Sequence, residues 1–321
     1  MPPSSNAAST SITHDSDLRR LDRKIWIVTT AALPWRTGTS VNPLARALVL
    51  TRDRPKHSVT LLVPWLANPD DQSKLFGEKN VFTSQEDQEE WIRQYCIDRV
   101  HCETEEKNLR IRFYPAFYHG PFGSIFPTVD ICALIPFEEA DVAILEEPEH
   151  LTWFRVPPKS MESDFGERTG EEAVSATGDT NRQELAELGW QFKFKHVVGI
   201  LHTNYSAYMQ QYGMGTSFIT APALSSLSSM VVRAYCHRVI RLSGTLPELV
   251  KDREVTLNVH GVRSEFFERP NPNHEPDHEN PSPIYFIGKL VWAKGMETTT
   301  VRFDRNMNLN NSLFSHLLSR F

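Results

Sequence analysis

The sequence predicts an α/β domain on a mainly parallel sheet, and three observations carry that prediction. Short apolar runs rich in β-branched residues recur along the chain, helical stretches separate them, and each run ends in a polar loop. The first run is KIWIVTT, residues 24–30, followed by a loop with Pro34, Gly38 and Pro43 and then a helix to about Leu50. SVTLLV, residues 58–63, reads as a second strand. Residues 88–100 place Trp91, Ile92, Tyr95, Cys96 and Val100 on one helical face. Residues 109–114, 142–145 and 196–201 read as further strands. A Ser- and Ala-rich helix precedes two more, at 239–242 and 255–259. In open parallel sheets ligands bind beyond the carboxyl ends of the strands, so the loops after these runs hold the functional candidates.

Several segments depart from the alternation. Residues 157–189 are acidic, rich in Ser, Thr and Gly, and poor in large apolar groups, which predicts a disordered insertion. Residues 271–283 carry four prolines and read as a linker. Their two histidines, His274 and His278, are separated by a proline, which argues against a helical metal site. Residues 284–288 resemble one more strand, and the stretch after Gly295 shows no strand–helix continuation. Residues 1–23 read as a disordered or targeting tail without a secretory apolar region.

Bulk composition narrows the function classes. The chain of 321 residues is 40% hydrophobic and 23% charged, with a net charge of -6, so bulk charge gives no support for nucleic acid. No apolar run is long enough to span a membrane, so any membrane association is expected to be peripheral. The four cysteines form neither a CxxC pair nor a metal-ligand spacing, and read as reduced thiols.

Four loops combine chemistry with position. Residues 29–44 join the first strand to the first helix. There Gly38 permits close backbone approach and the helix start offers N–H groups to a polar or anionic ligand; an ordinary strand–helix turn has the same features, and no GxGxxG is present. Residues 140–153 end a strand in Glu146, Glu147, Glu149 and His150, with Trp153 beside them. Clustered carboxylates there suit hydroxyl recognition or proton handling, and equally a solvated acidic loop. His202 ends the strand of VVGILHTNY, where an imidazole can meet a hydroxyl or simply serve the structure. GKLVWAKG, residues 288–295, sets Lys289 and Lys294 in a glycine-bounded loop that suits a diphosphate or solvent.

Taken in order, VTTAALPWRTGTSVNPL, VTLLVPWL, EEPEHLTWF, VVGILHTNY, AYCHRVIRLS, NVHGV and GKLVWAKG resemble the digalactosyldiacylglycerol synthases of photosynthetic eukaryotes. The resemblance covers residues 24–295 without the 157–189 insertion. EEPEHLTW and HTNY in that order are specific to it, whereas GKLVWAKG marks the wider class of retaining GT-B glycosyltransferases. It implies a GT-B fold of two Rossmann-like domains facing a cleft, with residues 24–259 as the acceptor domain and 260–295 as the crossover and start of the donor domain. It implies transfer of galactose from UDP-galactose to monogalactosyldiacylglycerol, at the chloroplast outer envelope as a peripheral protein, without a cofactor or metal. His202 would contact the transferred sugar. Gly38, Thr39, Lys289 and Lys294 would serve the donor, and Glu146, Glu149 and Trp153 the acceptor. The family's acidic donor motif has no counterpart in residues 296–321, so this chain alone is expected to lack the donor surface and be inactive. The alternatives are a non-catalytic acceptor- or membrane-binding remnant and a GT-B enzyme with another acceptor.

Overall fold

The computed structural model describes residues 17–152, 189–205 and 217–257. The insertion up to residue 188, the proline-rich linker, the strand expected at 284–288 and the segment after Gly295 lie outside the described residues. The chain divides into two compact units, Met1–Thr203 with Ser225–Val259, and Asn204–Leu224 with His260–Phe321. All the strands below belong to the first. Of the second, the structure describes Asn204, Tyr205 and the opening turns of one helix.

The expected α/β architecture is present. Eight strands form one sheet: β1 (Ile25–Val28), β2 (Val59–Leu66), β3 (Arg110–His119), β4 (Ser124–Pro127), β5 (Val142–Glu146), β6 (His196–Leu201), β7 (Arg238–Arg241) and β8 (Glu254–Thr256). Their order across the sheet is β4-β3-β2-β1-β5-β6-β7-β8. Every pairing is parallel except β3 with β4. From β1 the chain steps outward through β2 to β3, and then returns to the other side of β1 as β5. The direction of winding therefore reverses between β1 and β5, the switch point at which such sheets hold ligands.

The core lies on both faces of the sheet. Successive strand residues point to opposite sides, so Ile25 and Ile27 join one buried cluster with Leu44, Leu48 and Ile92, while Trp26 and Val28 join another with Tyr114, Leu145 and Val232. The first face is covered by helices α1 (Gly38–Thr51) and α3 (Gln85–Tyr95). The second is covered by α2 (Pro69–Phe76), α6 (Trp190–Lys193) and, through Val232 and Tyr235, the last turns of α7 (Ser217–Tyr235), with α4 (Glu103–Asn108) and α5 (Pro148–Leu151) as short connectors.

Two elements differ from the sequence reading for local reasons. The helix expected at 88–100 starts at Gln85, because Ser84 and Asp87 cap each other reciprocally at 3.1 Å, and it changes to a wider π turn over Cys96–Val100 before His101 ends it in the left-handed region. Strand β3 continues past the expected end at 114 to His119, because β4 folds back and pairs with Ala116–His119. Pro115 does not stop it; its carbonyl accepts from the Thr128 N–H at 3.0 Å.

Candidate functional site

The carboxyl ends of β1, β5 and β6 bring together the polar residues that the sequence singles out. Helix α1 begins at Gly38, directly after the β1 loop. Inside α1, Pro43 has no N–H to give to the carbonyl of Thr39 one turn earlier. The Thr29 hydroxyl donates to that carbonyl instead, and so ties the end of β1 to the start of α1. The Thr37 and Thr39 hydroxyls lie 3.0 Å apart, and the Ser40 hydroxyl accepts from the Thr37 N–H at 3.1 Å. Gly38 is exposed. A Cβ at this position would meet only Asn42 Nδ2 at 3.6 Å, so packing within the chain does not demand glycine.

Beside this turn, β5 ends in two consecutive carboxylates with different surroundings. Glu146 is fully buried. One of its oxygens accepts from Arg46 Nη1 of α1, and the other meets His202 Nε2 at the end of β6. Arg46 and His202 thus take the place of water around this buried carboxylate. Glu147 adopts a left-handed backbone, φ 58° and ψ 64°, which is uncommon for a non-glycine residue and turns the chain sharply from β5 into α5. Its carboxylate accepts from the Thr30 hydroxyl at 3.0 Å and from the Thr203 hydroxyl, spanning the ends of β1 and β6. Its N–H donates to the Ile200 carbonyl at 2.8 Å.

Glu149, in the first turn of α5, is different again. It is buried, and its Oε2 has no hydrogen-bond partner among the described residues. Burial, reinforced by the nearby Glu147 carboxylate, pushes its carboxyl up to about 8, so it holds a proton at neutral pH. His150 is also buried, with Nε2 2.7 Å from the Ile125 carbonyl oxygen.

The structure therefore gathers Gly38, Thr39, Glu146, Glu149 and His202 at one edge of the sheet. Gly38 is exposed, Thr39 and His202 are half-buried, and Glu146 and Glu149 are buried. Glu146 is occupied by internal partners and reaches any ligand through His202. Trp153, Lys289 and Lys294 lie outside the described residues. The sequence reading missed Arg46, Thr30 and Thr203. Arg46 could have been found from α1 alone, where it stands between the buried Pro43 and Ala47 on a helix flank that leaves a charge little room. Among the described residues there is no group of three or more His, Cys, Asp or Glu able to hold a metal ion, and no helix long and apolar enough to cross a membrane.

Comparison with known proteins adds the family context. No protein-family model matches the chain. Against curated proteins it is 40% identical over 278 residues to digalactosyldiacylglycerol synthase 1, chloroplastic, of Glycine max, a match covering 85% of this chain and 30% of that protein. It is 38% identical over 278 residues to digalactosyldiacylglycerol synthase 2, chloroplastic, of Arabidopsis thaliana, covering 85% of this chain and 50% of that protein. The corresponding figures for synthase 2 of Lotus japonicus are 38% over 275 residues, 84% and 51%. The chain thus spans between about a third and a half of the length of the curated relatives it matches.

Proposed function

We propose, from the premise that the chain is a homologue of the digalactosyldiacylglycerol synthases over some 85% of its length, that it forms the acceptor side of a galactosyltransferase of galactolipid synthesis. The reaction would move galactose from UDP-galactose to monogalactosyldiacylglycerol, on a GT-B framework, peripherally at the chloroplast outer envelope. The observation that carries this reading is the 38–40% identity to proteins named for that product. The polar edge at the switch point supports it, because a glycosyltransferase needs hydroxyl-binding groups where the sheet opens.

Within this reading His202 is the group that meets the transferred sugar. Glu146 holds its Nε2 and favours the proton there, which leaves Nδ1 to accept from a sugar hydroxyl. Arg46 balances the Glu146 charge from the other side. The turn at Gly38 and Thr39 lets backbone approach the donor phosphates, with Lys289 and Lys294 neutralising the diphosphate as the resemblance implies. Stabilisation of the departing diphosphate is then the main electrostatic contribution to rate.

The test joins this chain to the remaining portion of a curated relative and supplies UDP-galactose with monogalactosyldiacylglycerol in mixed micelles. Formation of digalactosyldiacylglycerol, lost on His202→Ala, is the expected result. A joined protein that folds, transfers no galactose to this acceptor and instead galactosylates another lipid would replace the acceptor named here.

A further inference from the structure

Residues 113–129, FYPAFYHGPFGSIFPTV, contain no Asp, Glu, Lys or Arg, in a chain where those residues make up 23% of the total. They form the end of β3, a tight tip over Gly120–Phe122, and β4. Arg112 stands level with Val28 through Leu62, and β3 runs on from there to His119. The hairpin therefore projects past the carboxyl edge of the sheet, on the side of the candidate site. Gly123, at φ +59°, closes the tip in a conformation that a side chain would strain.

The rings of this hairpin form one file. Phe122, at the tip, is 56% exposed. It stacks on His119 with centroids 4.8 Å apart. Both rings meet Phe126 edge-on, at 6.1 and 5.9 Å, and Phe126 stacks on the buried His150 at 4.8 Å. His150 belongs to α5, next to Glu149. An exposed aromatic tip is thus packed, ring on ring, onto the loop that carries the candidate site.

We infer that this hairpin tip is a bilayer contact, with Phe122 entering the interfacial layer of an uncharged lipid surface. Two observations select that occupant. A strongly anionic partner would call for lysine or arginine, and the segment has neither, while aromatic rings flanked by backbone polar groups suit the boundary between headgroups and acyl chains. The ring file also joins the tip to the site, so a lipid anchored at Phe122 would present its headgroup toward the edge that holds His202. That second step rests on the galactolipid reading above; insertion of the tip does not.

The experiment uses the 321-residue chain and vesicles of phosphatidylcholine, with and without monogalactosyldiacylglycerol. A fluorophore whose emission rises in apolar surroundings is attached through Phe122→Cys; the four native thiols are buried, so the label goes to the new one. The expected result is a rise in emission with both kinds of vesicle, quenched by lipids carrying a nitroxide near the glycerol. Flotation of Phe122→Asp should fall at least tenfold below wild type at 50 mM and at 500 mM salt alike, with the circular dichroism spectrum unchanged. Flotation of Phe122→Asp equal to wild type, wild-type flotation abolished by salt, or a concentration-dependent dimer lost in Phe122→Asp would each overturn the inference, the last by making a second copy the occupant. Insertion into both kinds of vesicle with no preference for monogalactosyldiacylglycerol would leave the inference standing and count against the acceptor assignment alone.

Discussion

The Nε2 of His202 rests on a Glu146 carboxylate that has no exposure to solvent, and the other oxygen of that carboxylate belongs to Arg46, about a hundred residues earlier in the chain. Removing one partner of a buried ion pair leaves the other charge uncompensated. Arg46→Ala is therefore expected to lower the unfolding free energy by about 3 kcal/mol. Urea denaturation checks this; a loss well under about 1 kcal/mol would show that the Arg46–Glu146 pair contributes little to stability.

Glu146→Gln preserves shape and removes charge. In the joined transferase it is expected to lower kcat about a hundredfold, the scale of a misplaced proton-handling group, with a smaller change in the KM for lipid. An effect confined to KM would instead assign Glu146 to direct acceptor binding.

Glu149 gives a pH dependence with a defined sign. Its carboxyl is raised from 4.5 to about 8 in the folded chain. Between those values the folded chain keeps a proton that the unfolded chain releases, so this group's contribution to stability is intact below 4.5 and is lost as pH rises toward 8. Glu149→Gln is expected to match wild type near pH 4.5 and to exceed it at pH 8, at about 1.4 kcal/mol for each unit of the shift that is expressed. Unfolding curves at pH 5, 6.5 and 8 measure the difference; a gap that does not widen with pH refutes the protonated carboxyl.

Gly199 in β6 lies in a gap with no room for a methyl group. An added Cβ would stand 2.8 Å from Cys236 Sγ and 3.0 Å from Pro148 Cγ. Gly199→Ala is expected to cost about 1–3 kcal/mol, the usual range for overpacking. Cys236→Ala in the same chain should return part of that loss, because it removes the nearer atom, and the coupling can be read from a double-mutant cycle.

All four cysteines are buried. Burial pushes the Cys96 and Cys132 thiols up to about 12 and Cys236 higher still, so thiolate is scarce at neutral pH. The folded chain is expected to resist a thiol reagent at pH 8, and all four thiols should react once urea unfolds it. Prompt reaction of any one in the folded chain would show that this thiol is open to solvent and not buried.

Much of the fold was legible because parallel strands buried on both faces leave continuous apolar runs: IWIV, VTLLV, VAIL and HVVGIL each show the strand and its carboxyl end together. The loops with Gly38, Glu146, Glu149 and His202 were found through those strand ends, since chemistry at this sheet edge follows from topology. The partnerships were not legible. Arg46 meets Glu146, and Thr30 meets Glu147, across more than ninety intervening residues, and no local periodicity records such pairings. Strand β4 was missed because SIFP is short and ends in proline; only its pairing with β3 makes it a strand. The division of labour among three neighbouring glutamates was hidden as well, because it depends on which hydroxyl, guanidinium or imidazole folding delivers to each.

The proline inside α1 has a mechanical consequence. With Thr39's carbonyl released from the helix, Thr29 becomes a junction: its hydroxyl reaches α1, and its own carbonyl accepts from the Tyr114 hydroxyl of β3 at 2.8 Å. The first strand–helix loop is thus braced at its two ends before any ligand arrives. A braced loop has little freedom left to surrender on binding, so its affinity should depend more on fit than on ordering. Pro43→Ala would return the Thr39 carbonyl to the helix, loosen Thr29, and trade a slightly better helix for a slacker rim.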